Sequence, residues 1–284
     1  MARVKPYLSV CAMFLDEAAY LREWIEFHRL VGVERFFLYD HESTDSSREV
    51  LAPYVEEGTV VVHDWPVYPG QIEAFSNCLE RHRDDSRWIA FIDLDEFLFS
   101  PLAKPLPEVL VDYEQYPAVV ASWVMFGTSN HLTKPPGLVI ENYLRRKEYP
   151  EGAWEHIKSI IDPTRTESCP SGHAFNYRDG APAVDEKHLP VTERPLSRFQ
   201  PVTFERLRVN HYCRRSWEEY QRKLSRPRAD TATFREDDER TRERRERKLN
   251  AVYDDTITMY LPALRERIEA ADQRAAARPV ETPR

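Results

Sequence analysis

The sequence predicts an α/β fold: a Rossmann-like, mostly parallel sheet flanked by helices, with a helical extension at its C-terminal end. Three observations carry this expectation. Short apolar runs alternate with helix-spaced apolar stripes through the first hundred residues, a rhythm that calls for parallel strands joined by right-handed crossovers. The strand-length runs are apolar at successive positions, as strands covered on both faces must be. Several of them end in carboxylates, and an open sheet of this class binds its ligands beyond the carboxyl ends of its strands.

Tyr7 to Phe14 reads as the first strand, with Asp16 as the cap of a helix whose Tyr20, Trp24, Phe27 and Val31 share one face before Gly32 stops it. Arg35 to Tyr39 is the second strand and ends in Asp40; Ser43 or Thr44 then caps a helix running towards Gly58. Thr59 to His63 is the third strand, Gln71 to His82 the third helix, and the run from Trp88 the fourth strand. Ala118 to Gly127 is a fifth, followed by a polar loop over 127–137 that reads either as a binding element or as an ordinary solvent turn. Leu138 to Tyr149 is expected to be helical, His156 to Ile161 and Arg206 to Tyr212 strands, and the stretch 162–203 has no assignable structure. The domain is taken as 1–212, the helical extension as 213–270, and 271–284 as a disordered tail. Within the extension, the mixed-sign run from Arg235 to Lys248 reads as a solvated helix with i,i+4 pairs.

Composition narrows the function classes. With 40 Lys+Arg against 48 Asp+Glu the net charge is -8, which disfavours general nucleic-acid binding. The four cysteines are scattered with no C-x-x-C, so no zinc ribbon or thioredoxin motif is offered. Neither a Walker A sequence nor a G-x-G-x-x-G occurs among the eight glycines. The longest weakly polar run, Ala118 to Gly127, is too short to span a bilayer. A cytoplasmic protein is therefore expected, with peripheral membrane association left open.

The run Trp88-Ile89-Ala90-Phe91-Ile92 breaks into Asp93-Leu94-Asp95-Glu96. In an extended chain Asp93 and Asp95 point to the same side. Like charges so arranged repel unless a cation or a proton lies between them, and hard oxygen donors at a strand end suit Mg2+ or Mn2+ holding a diphosphate. The plainer alternative is capping by Asp95 or Glu96 with Asp93 solvated. Asp16 and Asp45 have the same plain reading as helix caps.

Several ordered blocks resemble the GT-A fold glycosyltransferases, specifically the family-2-like group close to glycosyltransferase family 92. They are Asp16-Glu17 with Glu23-Trp24-Ile25, Tyr39-Asp40 with Ser43-Thr44-Asp45, Ile92 to Phe97, Phe126-Gly127-Thr128-Ser129, Lys158-Ser159-Ile160-Ile161 and Asn210-His211-Tyr212. The resemblance implies a hexosyltransferase that uses a nucleotide-diphosphate sugar, a UDP-sugar first, with Mn2+ or Mg2+ and a glycan or other hydroxyl acceptor. It implies metal ligation by Asp93 and Asp95 with a histidine, either His211 or His173. Donor contacts are expected from Glu17, Asp40, Asp45, Gln71, Asp93 and Lys158. A single carboxylate base suits inversion at the anomeric carbon; Glu141 is the first candidate, with Glu96 and His131 behind it. Asp16 stands where the pattern commonly has Asn, and Asn130 where it often has Gly.

Two rival readings remain. Asp93-x-Asp95 after an apolar run also resembles the start of a haloacid-dehalogenase-type phosphatase, whose first Asp is phosphorylated. That motif follows the first strand of its domain, not the fourth, and Phe97 stands where Thr is expected. The other rival is a nucleotide-sugar-binding protein without turnover.

Overall fold

The computed structural model describes residues 5–191, 202–228, 231–234 and 239–276. In chain order the first half supplies β1 (Leu8–Phe14), α1 (Ala18–Leu30), β2 (Arg35–Asp40), α2 (Ser47–Glu56), β3 (Val60–Asp64), α3 (Gln71–Arg81), β4 (Trp88–Phe91), β5 (Glu96–Phe99) and α4 (Leu106–Leu110). Then follow β6 (Ala118–Met125), α5 (Val139–Asn142), β7 (Arg145–Arg146), β8 (Ile157–Ile161), β9 (Thr166–Ser168) and β10 (Asn176–Tyr177). Last come β11 (Arg208–His211), α6 (Trp217–Leu224), α7 (Glu239–Leu249), β12 (Val252–Tyr253) and α8 (Leu261–Ala276).

Eight strands form one sheet in the order β3-β2-β1-β4-β8-β6-β11-β5. The first four run parallel, as the alternating rhythm requires. Beyond β4 the sheet is mixed: β8 is antiparallel to both β4 and β6, β11 is parallel to β6, and β5 closes the edge antiparallel to β11. The parallel expectation therefore holds for half the sheet, and the whole is the α/β, GT-A-type arrangement that the resemblance implies. Aromatic side chains fill both faces. Trp24, Phe27, Phe36, Phe97, Phe99 and Tyr212 lie on one, and Phe37, Phe75, Phe91 and Phe175 on the other. All four cysteines are free, with Cys11 and Cys78 buried as small core residues.

Four local expectations are corrected. Asp16 does not cap α1: it sits at φ 53° and its Oδ1 accepts from the backbone N–H of Thr44 (2.7 Å) and Asp45 (3.2 Å). In exchange, Asp45 Oδ2 accepts from Ala18 N–H at 2.9 Å, so the two loops cap each other. With Ser43 N–H also taken by Asp40, the donors of 43–45 are used up, and α2 starts only at Ser47. Next, the strand at Trp88 ends at Phe91; Glu96 N–H bonds back to Asp93 C=O at 3.1 Å, making 93–96 a turn and not an extended segment. Finally, the helix expected over 138–149 is one turn long, because Arg145–Arg146 leave it to pair with Val252–Tyr253, more than a hundred residues away.

The segment after His211 packs onto this body. Tyr260 sits edge-on to Phe27 (5.5 Å) and Phe99 (5.9 Å) and donates its O–H to Ser100 C=O at 3.0 Å. Arg208, almost fully buried on β11, pairs with Asp254 at 2.9 Å, and Arg146 joins the same carboxylate. The tail expected from 271 is helical as far as Ala276; 277–284 and 235–238, the start of the mixed-charge run, lie outside the described residues. Most of the unassigned 162–203 stretch forms short turns and the β9–β10 hairpin, while 192–201 lies outside the described residues. Among the described residues no helix is long and apolar enough to cross a membrane.

Candidate active site at the carboxyl edge of the sheet

The turn that ends β4 delivers Asp93 and Asp95, β5 begins with Glu96, and β11 ends with His211, registered opposite Glu96. Register thus fixes a carboxylate and an imidazole side by side at the edge where β4 also terminates. Ligand atoms of Asp95, Glu96 and His211 all lie within 4.8 Å of one another, a group able to hold a metal ion. His211 Nε2 is 3.4 Å from Asp95 Oδ1, and its Nδ1 is buried without a hydrogen bond. The His211 ring packs on Trp123 at 4.1 Å.

Glu96 is fully buried. Its Oε2 accepts from Asp93 N–H at 3.0 Å, but Oε1 has no hydrogen bond and faces the Lys158 ammonium at 3.5 Å. Burial pushes the Glu96 carboxyl well above the usual range despite that ammonium. Asp95 is the opposite case: burial alone would raise it, but the Lys223 ammonium and then His211 hold it well below. Burial thus raises one carboxyl while counter-ions lower its neighbour, and such perturbed pairs are common at functional sites. The donor set, two carboxylates and one imidazole, suits Mn2+ or Mg2+ in type.

Asp93 faces the other way within the cluster. Its Oδ1 accepts from Gln71 Nε2 at 2.6 Å and its Oδ2 from Lys158 Nζ at 2.9 Å. Lys158 is buried, yet Asp93 and Glu96 outweigh desolvation and keep it charged. Gln71 is the first residue of α3, so a helix end and a strand converge on the same carboxylate. His173 donates from Nδ1 to Ile157 C=O at 3.0 Å and lies edge-on to Trp123; burial, then Lys158, hold it neutral with its pKa lowered to about 3. It does not belong to the metal-capable group found among the described residues.

The remaining expected residues are spread along the same edge or away from it. Asp40 is buried and bonds Ser43 N–H and Arg48. Asp45 spends Oδ2 on Ala18 and Oδ1 on Ser47. Glu17 pairs with Arg215 at 3.1 Å. Glu141 is not brought to the cluster: its Oε1 pairs with Arg265 of α8, and its Oε2 lies 2.9 Å from where a Cβ on Gly137 would be. His131 Nε2 bonds Asn142 C=O at 3.1 Å.

Three residues that the sequence did not single out complete the edge. Arg215, Lys223 and Arg226 come from the segment around α6 and pair with Glu17, Asp95 and Asp16 respectively. Partners this far apart in the chain leave no local pattern, so only folding reveals them. α7 adds a further contact, where Glu246 accepts from Thr128 N–H at 3.2 Å and from Arg214 at 2.6 Å, fixing the start of the polar loop.

Comparison with known proteins matches the chain to one family model and to several relatives. The family model "Glycosyltransferase family 92" matches residues 6–255. A family 92 protein of Oryza sativa subsp. japonica is 30% identical over 224 residues, which is 77% of this chain and 35% of that protein. A galactan beta-1,4-galactosyltransferase of Arabidopsis thaliana is 34% identical over 106 residues, covering 34% of this chain and 20% of that protein. This chain spans little more than a third of the length of the family 92 relatives it matches. Among solved structures, S. aureus TarS in complex with UDP aligns with a TM-score of 0.37 at 14% identity, covering 55% of this chain and 47% of that one.

Proposed function

We propose, since this chain belongs to glycosyltransferase family 92, that it moves a hexosyl group from a UDP-sugar to a hydroxyl acceptor with inversion and with a divalent cation. The observation that carries the reading is the buried, unbonded Oε1 of Glu96 beside Asp95 and His211. A cation held by these three residues would supply the positive charge that a departing diphosphate needs. Asp93, oriented by Gln71 and Lys158, faces the donor; Lys158 adds a fixed ammonium on the diphosphate side. Asp40 and Glu17, further along the same edge, are assigned to the nucleoside and the sugar. Asp45 supports them by joining the first two loops.

Glu141, the base expected from the sequence, is not brought to the cation-capable group, so the base that takes the acceptor's proton is left unassigned. Glu141 lies against Gly137 at the end of the polar 127–137 loop, and its pair with Arg265 is exposed and therefore weak. Glu96 is too deeply buried to meet an acceptor and serves the cation instead. Family membership sets aside the phosphatase reading of Asp93.

A thermal-shift screen of nucleotide sugars with and without Mn2+ tests the donor. A ligand at a hundred times its dissociation constant adds about 2.7 kcal/mol of stability, so the true donor should raise the melting temperature only when Mn2+ is present. Release of UDP when hydroxyl acceptors are added separates an enzyme from a binding protein. If no UDP-sugar shifts the transition with Mn2+, the reading is wrong.

A further inference from the structure

The side of the cluster nearest solvent is covered by a cation that belongs to the chain itself. The Lys223 ammonium, from the last turn of α6, bonds Asp95 Oδ2 and also donates to Cys213 C=O at 3.2 Å. Its side chain is about one-third exposed, whereas Lys158 on the opposite side is buried at 2%. The two ammoniums are therefore unequal. Lys158 is fixed between Asp93 and Glu96, while Lys223 sits on a flexible stem at the open side.

Asp95 is also the one carboxylate of the metal-capable group that Lys223 engages. An ammonium and a divalent cation compete for the same oxygens, and a diphosphate arriving at that edge brings the anionic oxygens that a displaced ammonium needs. Arg226, one turn further on, is held by Asp16 and Leu15 C=O, so the segment from α6 onward reaches along the same sheet edge.

We propose that Lys223 is an exchangeable counter-ion: without donor it neutralises Asp95, and with donor it leaves that carboxylate and binds a diphosphate oxygen. The inference rests on the proposed function and adds a ligand for the diphosphate and a coupling between nucleotide and metal. Lys223 opposes metal binding to the empty site and supports nucleotide binding to the metal-loaded one.

The test uses the full chain with Mn2+ and UDP as probes, read by titration calorimetry and by the Mn2+ spin-resonance signal, so no turnover is needed. Lys223→Met should tighten Mn2+ binding without nucleotide by about tenfold and weaken UDP binding at saturating Mn2+ by about tenfold, since a charge-assisted contact is exchanged in each case. Lys223→Arg, which keeps the charge, should move both constants much less, and matched thermal melts of the three proteins exclude a folding defect. Effects of the same sign, or none, overturn the proposal while leaving the metal site intact. Failure of the unmodified chain to bind Mn2+ overturns the proposed function and this inference with it.

Discussion

The two halves of the sheet use their carboxylates differently. In the parallel half, Asp16, Asp40 and Asp45 spend their oxygens on backbone N–H groups of neighbouring loops, on the Ser47 hydroxyl, or on Arg48 and Arg226, tying strand ends to helix starts. In the mixed half, Glu96 Oε1 and His211 Nδ1 are buried without hydrogen bonds, Oε1 lying 3.5 Å from the Lys158 ammonium while His211 turns its other nitrogen to Asp95. Carboxylates at the same edge are thus bonded throughout to the protein in one half and incompletely bonded in the other. What distinguishes them is the supply of nearby backbone donors. Loops of the parallel half offer several, whereas strand pairing between β5 and β11 has already used those around Glu96 and His211.

The contrast can be broken most sharply at Asp95. Asp95→Asn should abolish Mn2+ binding and lower the rate of UDP release by about a thousandfold, the scale of losing a charge-stabilising group in a closed site. Turnover within tenfold of the unmodified protein would mean the reacting edge is elsewhere. Next in size is a buried ion pair that is purely structural. Asp254→Asn leaves Arg208 buried without its carboxylate and should cost about 3 to 5 kcal/mol in urea unfolding. A cost below about 1 kcal/mol would show that the C-terminal segment is not anchored there.

The seam between the halves carries a pH dependence. Glu23 of α1 accepts from Val139 N–H (2.8 Å) and Ile140 N–H (3.1 Å) at the start of α5. Burial raises its pKa from 4.5 to about 7 in spite of those bonds. Between these values the folded chain holds a proton that the unfolded chain has lost. The stability it contributes is therefore complete below about pH 4.5 and is lost as pH rises through about 7, by roughly 3 kcal/mol. Glu23→Gln should flatten that slope in melts taken from pH 5 to 8; an unchanged slope would place its origin elsewhere. The smallest effect belongs to the mutual caps. Asp45→Ala should cost about 1 kcal/mol and weaken UDP binding by less than tenfold, and a larger loss of binding would return Asp45 to the donor site.

The alternation of β1, β2, β3 and β4 with α1 to α3 was legible because period and burial are local properties: Leu8 to Phe14 and Trp88 to Phe91 are apolar whatever follows them. The acidic run from Asp93 to Glu96 was legible for the same reason, whereas His211 entered only through the family resemblance, as one of two histidines. Local pattern failed where distant segments compete for the backbone. Arg145 and Arg146 leave a helical register to pair with Val252 and Tyr253, and Glu96 to Phe99 become an edge strand only because Arg208 to His211 lie beside them.

By itself, then, the order of residues determined the parallel half of the sheet, the position of the carboxylates and the family, since each depends on spacing within a few tens of residues. Tertiary structure alone decided which of those carboxylates remain incompletely bonded. Hydrogen-bond donors and counter-ions such as Gln71, Lys158 and Lys223 arrive from 22, 65 and 128 residues away, and a charge is satisfied or stranded only once its neighbours in space are known.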